Sequence, residues 1–136
     1  MQIDVDFPGG VRVDAHFQGF TVATDQSVGD GGTASAPSPF DYFLASTAAC
    51  AGFYVLRFCQ QRGLNTAGLR LTQRLEVDRE TGHVTKLLID VHLPPDFPPK
   101  YQAAVIRAAE QCTVKKHLAQ PPEFVVTAQL PEAMAA

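Results

Sequence analysis

The sequence predicts a single α+β domain, and three features of its hydrophobic pattern support this class. The N-terminal segment and residues 70–93 alternate apolar and polar side chains with the period of a β-strand. Residues 40–62 form an uninterrupted run of helix-favouring residues, and residues 100–118 have the three-and-four spacing of an amphipathic helix. Because 136 residues suit one hydrophobic core, we expect one domain over residues 1–136.

Charge and composition exclude several classes of protein. The net charge is −3 and no basic run is longer than Lys115-Lys116, which is unlike a nucleic-acid-binding surface. The N-terminus MQIDVDF carries acidic residues where a secretory signal has a positive segment followed by an apolar one, so we expect a cytoplasmic protein. Three cysteines without a Cys-x-x-Cys pair argue against a disulfide scaffold and a zinc ribbon, and favour free thiols.

The first element is predicted to be a β-meander. Ile3, Val5 and Phe7 lie on one side of a strand, and the alternation resumes at Val11 after Pro8-Gly9-Gly10. A third short strand follows at Phe20–Ala23. The next segment, Asp25 to Pro39, is rich in Gly, Ser and Pro and predicts a surface connection, with a mobile segment bordering an active site as the alternative.

The long central segment predicts a buried helix from Phe40 to Arg62. The uncharged run between Asp41 and Arg57 contains fifteen residues, fewer than the ~18 to 20 that a membrane span requires, so we predict no membrane insertion. This helix is apolar nearly all round, and such a helix must be covered on every side. We expect a small sheet to cover one side and a second subunit to cover another.

The second half predicts a hairpin, a helix and a strand. Arg70–Arg79 and His83–Leu93 are expected to form two long strands joined at Thr81-Gly82. The apolar spacing in Lys100–Leu118 predicts an amphipathic helix with Cys112 on its core face. After Pro121-Pro122, Phe124–Leu130 predicts a final strand.

Geometry separates the three cysteines. Cys50 and Cys59 are nine positions apart on one helix, which places them ~13 Å apart on opposite faces, beyond the ~7 Å Cα separation that a disulfide tolerates. Cys112 could therefore pair with either of them. Small residues surround Cys50 and favour it as the thiol that a substrate reaches: Ala45, Ser46, Ala48, Ala49, Ala51 and Gly52.

A reactive cysteine needs a nearby cation or helix N-terminus to stabilise its thiolate. Arg57 follows Cys50 by seven residues and lies on nearly the same helix face, while Lys115 and Lys116 follow Cys112. Each could instead be an ordinary surface cation. The histidines have no spacing that links them to one another or to a carboxylate, so we predict neither a metal site nor a cofactor: they are His16, His83, His92 and His117.

Two segments resemble the cysteine motifs of the OsmC/Ohr family of hydroperoxide-reducing proteins. The stretch PSPFDYFLASTAAC, from Pro37 to Cys50, is similar to the segment that leads to the family's first reactive cysteine. The stretch AEQCTVKK around Cys112 is similar to its second-cysteine segment. The order of elements also matches along essentially the whole chain.

The resemblance implies both an assembly and a chemistry. Family membership implies an intertwined homodimer with two active sites near the subunit interface. Cys50 would be the peroxidatic thiolate that becomes a sulfenic acid, and Cys112 would resolve it as a disulfide. An external thiol, such as a dihydrolipoyl group, would then reduce the disulfide.

The chain departs from the well-characterised peroxidases of this family at the assisting residues. Those proteins carry a glutamate where this chain has Phe40, with Asp41 next to it. Their assisting arginine lies in or after the meander, where this chain has Arg12. The sequence therefore resembles a less-characterised branch, in which Arg57, Asp41 and Arg12 are the candidate assisting residues.

Three functional hypotheses follow from these residues. The first is a thiol peroxidase that acts on organic hydroperoxides during oxidative stress. The second is a non-catalytic OsmC-like protein that binds a small hydrophobic ligand between aromatic walls. The third is a structural dimer whose cysteines are only buried. In the first two hypotheses the candidate substrate-binding or ligand-binding residues are Phe40, Phe43, Phe53 and Tyr54.

Overall fold

The computed structural model describes residues 1–132, and its N-terminal part is an antiparallel three-stranded sheet in the order β1-β2-β3. The strands are β1 (Asp4–Gly9), β2 (Arg12–Phe17) and β3 (Phe20–Val22). Val5 pairs with Ala15, and His16 pairs with Thr21. The predicted meander is confirmed, since the alternating residues occupy paired strands.

The connection from Asp25 to Pro37 is ordered around one buried carboxylate. Asp25 is 1% exposed and accepts hydrogen bonds from the hydroxyl groups of Ser35 and Thr33, at 2.7 and 2.8 Å. The backbone N–H groups of the same two residues and of Gln26 also donate to it. These bonds, those from Ser35 above all, hold the pKa of Asp25 far below its ordinary value. This loop therefore has a hydrogen-bonded centre that its composition did not predict.

The central helix, α1 (Pro39–Gln61), agrees with the prediction to within one residue at each end. Ser38 and Asp41 form a capping box in which the Asp41 backbone N–H donates to Ser38 Oγ at 3.1 Å. The Ser38 N–H in turn donates to the Asp41 carboxylate at 2.9 Å. Pro39 suits the first helical position, because its missing N–H would have no partner there.

The hairpin is formed by β4 (Arg70–Val77) and β5 (Val84–His92), as the alternation predicted. Arg74 pairs with Asp90 at 2.7 Å and Lys86 pairs with Glu76 at 2.9 Å across the strands. Exposed pairs of this kind contribute at most about 1 kcal/mol each, so they set register more than stability. The hairpin packs on α1 through Thr47, whose hydroxyl bonds the Gln73 side chain at 2.8 Å.

The predicted helix Lys100–Leu118 is wrong in one important respect, because it is two helices. A 3-10 turn leads into α2 (Gln102–Glu110), and α3 (Thr113–Ala119) follows after a break. Cys112 lies in the break with φ −50° and ψ 121°, so it is not on a helix face. The apolar spacing is shared by both helices and therefore did not reveal the extended residue between them.

The core lies between α1 and α2. Val55, Phe58 and Cys59 from α1 pack against Val105 and Ala109 from α2, and all five side chains are buried. Half-buried residues of the hairpin and its flanking loops close this cluster: Leu64, Leu69, Leu71, Val91, Leu93 and Phe97. The apolar steps of three and four in the second helical segment thus correctly predicted its inward face.

The other side of α1 is uncovered in the single chain. By length and mean hydropathy, 1.3 over eighteen residues, α1 could cross a membrane, but its packing against β4 and α2 makes it the central helix of the domain. Phe53 and Leu56 are 52% and 39% exposed. The helix predicted to be buried is therefore buried along one face only.

The predicted final strand, Phe124–Leu130, is wrong for the described single chain. This segment forms no strand, and Val126 and Leu130 are 92% and 93% exposed. A strand requires a partner that accepts its backbone hydrogen bonds, and the segment finds no such partner along residues 1–132. Its alternating apolar residues gave a strand pattern without providing that partner.

Candidate functional site

The start of α3 lies against the middle of α1 and brings Cys50 and Cys112 together. Cys50 is half-buried and Cys112 is fully buried, and both are free thiols. The thiol of Cys112 acts on the Cys50 sulfur as a hydrogen-bond donor. Of the two pairings left open by the sequence, the structure thus favours Cys50 with Cys112.

The surroundings of Cys50 favour its thiolate. Burial alone would raise the pKa of the Cys50 thiol, but hydrogen bonds from the Val114 N–H, the Cys112 thiol and the Thr113 N–H act in the opposite direction. The charge of Lys115 adds to these bonds, and the net result is a pKa below the ordinary value. Cys50 is therefore the better nucleophile of the pair near neutral pH.

Cys112 has the opposite electrostatics. Burial raises the pKa of the Cys112 thiol, and Cys50 raises it further, because a thiolate at Cys50 needs the Cys112 proton and repels a second negative charge. The backbone N–H groups of Lys115 and Val114 offset only part of this rise. Of the two thiols, Cys112 therefore holds its proton more strongly than Cys50.

The helix break at Cys112 is what supplies the donors. In a continuous helix the N–H groups of Thr113 and Val114 would bond carbonyl groups four residues earlier. Because α3 starts anew after Cys112, its first N–H groups have no partner within the helix and can approach the Cys50 sulfur. The helix break that the sequence did not predict is thus the feature that places hydrogen-bond donors at Cys50 and lowers its pKa.

An apolar cavity of about 460 Å³ lies along the same side of α1. Phe40 and Phe43 from α1 and Leu118 from α3 contribute to its wall, and the turn and first residues of β5 complete it: Gly82, His83, Val84, Thr85, Lys86 and Leu87. Phe43 precedes Cys50 by seven residues, or two helical turns, so the cavity begins roughly 10 Å from the cysteine along the helix axis.

A sequence model of the family described as OsmC-like protein matches residues 31–127, which is most of the chain. The chain belongs to the OsmC-like family. No curated protein matches it by sequence.

Two solved structures share this OsmC-like fold. One is an osmotic stress induced and detoxification response protein from Psychrobacter arcticus 273-4, with a TM-score of 0.72 and 23% identity over 85% of this chain and 86% of that one. The other is an organic hydroperoxide resistance protein from Legionella pneumophila, with a TM-score of 0.57 and 16% identity over 87% of this chain and 89% of that one. At these identities the likeness establishes the fold.

In this OsmC-like chain, the three candidate assisting residues make other contacts. The Arg57 guanidinium lies 6.0 Å from the centre of the Phe53 ring. The Asp41 carboxylate is engaged in the helix cap, and the hydrogen bonds from Ser38 hold its pKa below the ordinary value. Arg12 pairs with Asp14 at 3.3 Å. The cation that lowers the pKa of Cys50 is Lys115.

The four predicted aromatic wall residues separate into different places. Phe40 and Phe43 stack at 5.4 Å and line the cavity described above. Phe53 lines a second, smaller groove of about 250 Å³ with Leu56 and Arg57 on the outer side of α1. Tyr54 turns toward α3, where its hydroxyl bonds Thr113 Oγ1 at 2.9 Å. Their spacing along the helix could not show that these four aromatic residues lie in three different surroundings.

Cys59 lies in the core, away from this OsmC-like cysteine pair. Burial raises the pKa of the Cys59 thiol, against the charge of Arg62, and the side chain is fully covered by α1 and α2 neighbours. Within residues 1–132, His, Cys, Asp and Glu side chains form no group of three or more that could hold a metal ion.

Proposed function

We propose that this OsmC-like protein is a thiol peroxidase that reduces organic hydroperoxides through Cys50 and Cys112. The observation that carries the proposal is that α3 brings Cys112 to Cys50 in unlike surroundings: hydrogen bonds and the Lys115 charge lower the pKa of Cys50, whereas burial and the neighbouring Cys50 raise the pKa of Cys112. A peroxidase of this type needs one thiolate that attacks the peroxide and one thiol that reacts only after the sulfenic acid has formed. The hydroperoxide resistance protein with the same fold is consistent with this chemistry.

The reaction balances with these two thiols alone. The Cys50 thiolate attacks the terminal peroxide oxygen, the O–O bond breaks, and the departing alkoxide takes a proton to become an alcohol. Cys50 is then a sulfenic acid. The Cys112 sulfur attacks Cys50, a disulfide forms, and the hydroxyl group leaves as water with the Cys112 proton. A dithiol of the dihydrolipoyl class would return both cysteines to thiols.

The cavity supports an apolar substrate. Phe40 and Phe43 offer aromatic surface on the Cys50 side of α1, and a chain lying there could extend its hydroperoxide end toward the sulfur. Burying such a chain contributes roughly 25 cal/mol per Å² of apolar surface, which hydrogen peroxide cannot provide. We therefore propose these two aromatic residues as substrate contacts, with Phe53 and Tyr54 outside the binding surface.

The first test counts thiols in a single turnover. The reduced protein has three free cysteines, and one equivalent of cumene hydroperoxide should leave one thiol that reacts in denaturant. The matched variant Cys59→Ala should consume the same equivalent and leave none, since Cys59 lies in the core. Cumyl alcohol, which lacks the peroxide bond, should leave all thiols intact. Three thiols remaining after hydroperoxide treatment would refute the peroxidase proposal.

The same test separates the alternative function. If hydroperoxide leaves the thiols intact while cumyl alcohol and the hydroperoxide both raise the melting temperature, the chain binds small apolar molecules without reacting. The aromatic cavity supports that reading, because neither cysteine contributes to its wall. Binding without reaction gives no role to the opposite pKa shifts of Cys50 and Cys112. The peroxidase is therefore the first proposal.

We also propose a homodimer with the central helices near the two-fold axis. The uncovered apolar surface includes Phe7 on β1, 78% exposed, Phe53 on α1, and the extended segment from Phe124 to Leu130. Exposed apolar side chains of this kind are typical of an interface, and a segment with a strand pattern but no partner can pair with a second copy. Light scattering should give a particle of about twice 14.7 kDa. A monomer at micromolar concentration would contradict this.

A further inference from the structure

We propose that Tyr54 is a positioning residue for Cys50: its hydroxyl, bonded to Thr113, holds the first N–H groups of α3 against the Cys50 sulfur. The two residues approach from different helices, and the distance from Tyr54 Oη to Thr113 Oγ1 is 2.9 Å. This inference rests on the proposed function for its meaning in catalysis. Its geometry and its test depend only on Cys50.

Thr113 is held at three of its polar atoms. Its backbone N–H acts on the Cys50 sulfur, its hydroxyl bonds Tyr54, and its carbonyl oxygen lies 2.8 Å from His117 Nδ1. Since a carbonyl oxygen only accepts hydrogen bonds, His117 Nδ1 carries the proton in that contact. Of the three contacts, the one from Tyr54 is a side-chain bond between α3 and the helix that carries Cys50.

Tyr54 is well placed to act on the neighbouring cysteine. It follows Cys50 by four residues, so both side chains lie on one face of α1, a single helical turn apart. The same face therefore holds Thr113 at two points, its N–H and its hydroxyl. The Tyr54 ring also makes an edge contact with Phe53 at 5.2 Å between ring centres. The bond from the phenol to Thr113 Oγ1 limits how far the start of α3 can move from the sulfur.

The start of α3 has little else than the Tyr54 bond to hold it by side-chain hydrogen bonding, because α3 is a short helix without a side-chain cap. Cys112 at its N-cap makes no capping hydrogen bond, and the helix has only seven residues. Short helices depend on tertiary contacts for their stability. Removing the hydroxyl should let the Thr113 and Val114 N–H groups move away from Cys50, and the Lys115 charge with them. The Cys50 thiolate would then lose two hydrogen-bond donors and one positive charge, which all come from the start of α3.

The test measures the rate at which iodoacetamide alkylates Cys50 across pH, with the adduct located by mass spectrometry. The titratable and charged groups that act on Cys50 are Cys112 and Lys115, and neither residue is substituted in the variants. Tyr54→Phe and Thr113→Val should each slow alkylation at neutral pH about threefold to tenfold by raising the pKa of Cys50. The double variant should be no slower than either single one, because both remove the same bond.

Two further variants separate positioning from general damage. Thr113→Ser keeps the hydroxyl and should show the same dependence of the alkylation rate on pH as the wild type. Tyr42→Phe removes a hydroxyl on the same helix that donates to the Ala23 carbonyl at 2.9 Å, and should leave the Cys50 profile unchanged. Wild-type alkylation in Tyr54→Phe, or additive effects in the double variant, would overturn the proposal. An altered profile in Tyr42→Phe equal to that in Tyr54→Phe would also overturn it.

The positioning role and the peroxidase can fail separately. If Tyr54→Phe shifts the alkylation profile while the wild type consumes no hydroperoxide, Tyr54 positions a thiolate with another task. If the wild type consumes hydroperoxide and Tyr54→Phe alkylates normally, the peroxidase stands and the role of Tyr54 is refuted.

Discussion

Cys112→Ser treated with one equivalent of an organic hydroperoxide should accumulate a sulfenic acid on Cys50, which dimedone traps and mass spectrometry locates. Only the residue that meets the peroxide becomes a sulfenate, and the contacts that lower the pKa of Cys50 favour its thiolate over that of Cys112. Without Cys112 no neighbouring thiol remains to convert the sulfenic acid into a disulfide. Dithiol-dependent turnover should fall strongly in this variant, while the first oxidation step persists.

Cys50→Ser should behave in the opposite way. Cys112 is fully buried and its pKa is raised, so it should stay largely unmodified by the same treatment. Removal of the nucleophile should lower turnover on the order of 10⁴-fold or more, since the covalent route is lost. A dimedone adduct on Cys112 would reverse the two roles, and Cys59→Ala is the matched control that should retain the wild-type rate.

Much of the fold was predictable because its signals are local. The period of two in β1 and β2, the uncharged run in α1 and the alternation of β4 and β5 depend on which side of each element faces the core. The capping box at Ser38 and Asp41 is likewise a short-range pattern. Such patterns predict elements and their inward faces, and both were largely confirmed.

The site was harder to predict because its decisive features come from tertiary packing. Cys50 and Cys112 were selected from their surroundings and motifs, but the break that frees the N–H groups of Thr113 and Val114 has no periodic signal. Lys115 was visible beside Cys112 in the sequence. That its charge acts on Cys50 depends on how α3 crosses α1. Spacing along one helix favoured Arg57, whereas the Arg57 side chain lies over Phe53.

The error in the last predicted strand also comes from a requirement that lies outside the segment itself. The apolar residues in Phe124–Leu130 form a strand pattern, but strand formation needs a partner and the described single chain supplies none. Pairing with a strand of another subunit would supply the missing hydrogen-bond partner. The apolar alternation would then correspond to a strand that forms in the assembly.

Gly32→Ala should be the most destabilising single-methyl change in the loop between β3 and α1. A Cβ at this position would overlap the Gln26 carbonyl oxygen and lie 2.9 Å from Asp25 Oδ1. Both neighbours are fixed, because the Gln26 oxygen accepts the Ala34 N–H at 3.1 Å and Asp25 is the hydrogen-bonded centre of the loop. Relief of the overlap requires a backbone shift, and overpacking of this kind costs about 3 kcal/mol.

Thermal unfolding at one fixed protein concentration checks this, with Gly29→Ala as the matched control. A Cβ at Gly29 would meet Ser27 Oγ at 3.7 Å, an ordinary contact, so its free energy of unfolding should change by no more than about 0.5 kcal/mol. Gly32→Ala should lower the melting temperature by about 10 °C. Because the Asp25 N–H donates to the Pro37 carbonyl at 3.3 Å, just before the Ser38 cap, the damage should reach the first turn of α1. Equal melting temperatures for the two variants would show that the Asp25 loop yields without cost, and that the start of α1 does not depend on it.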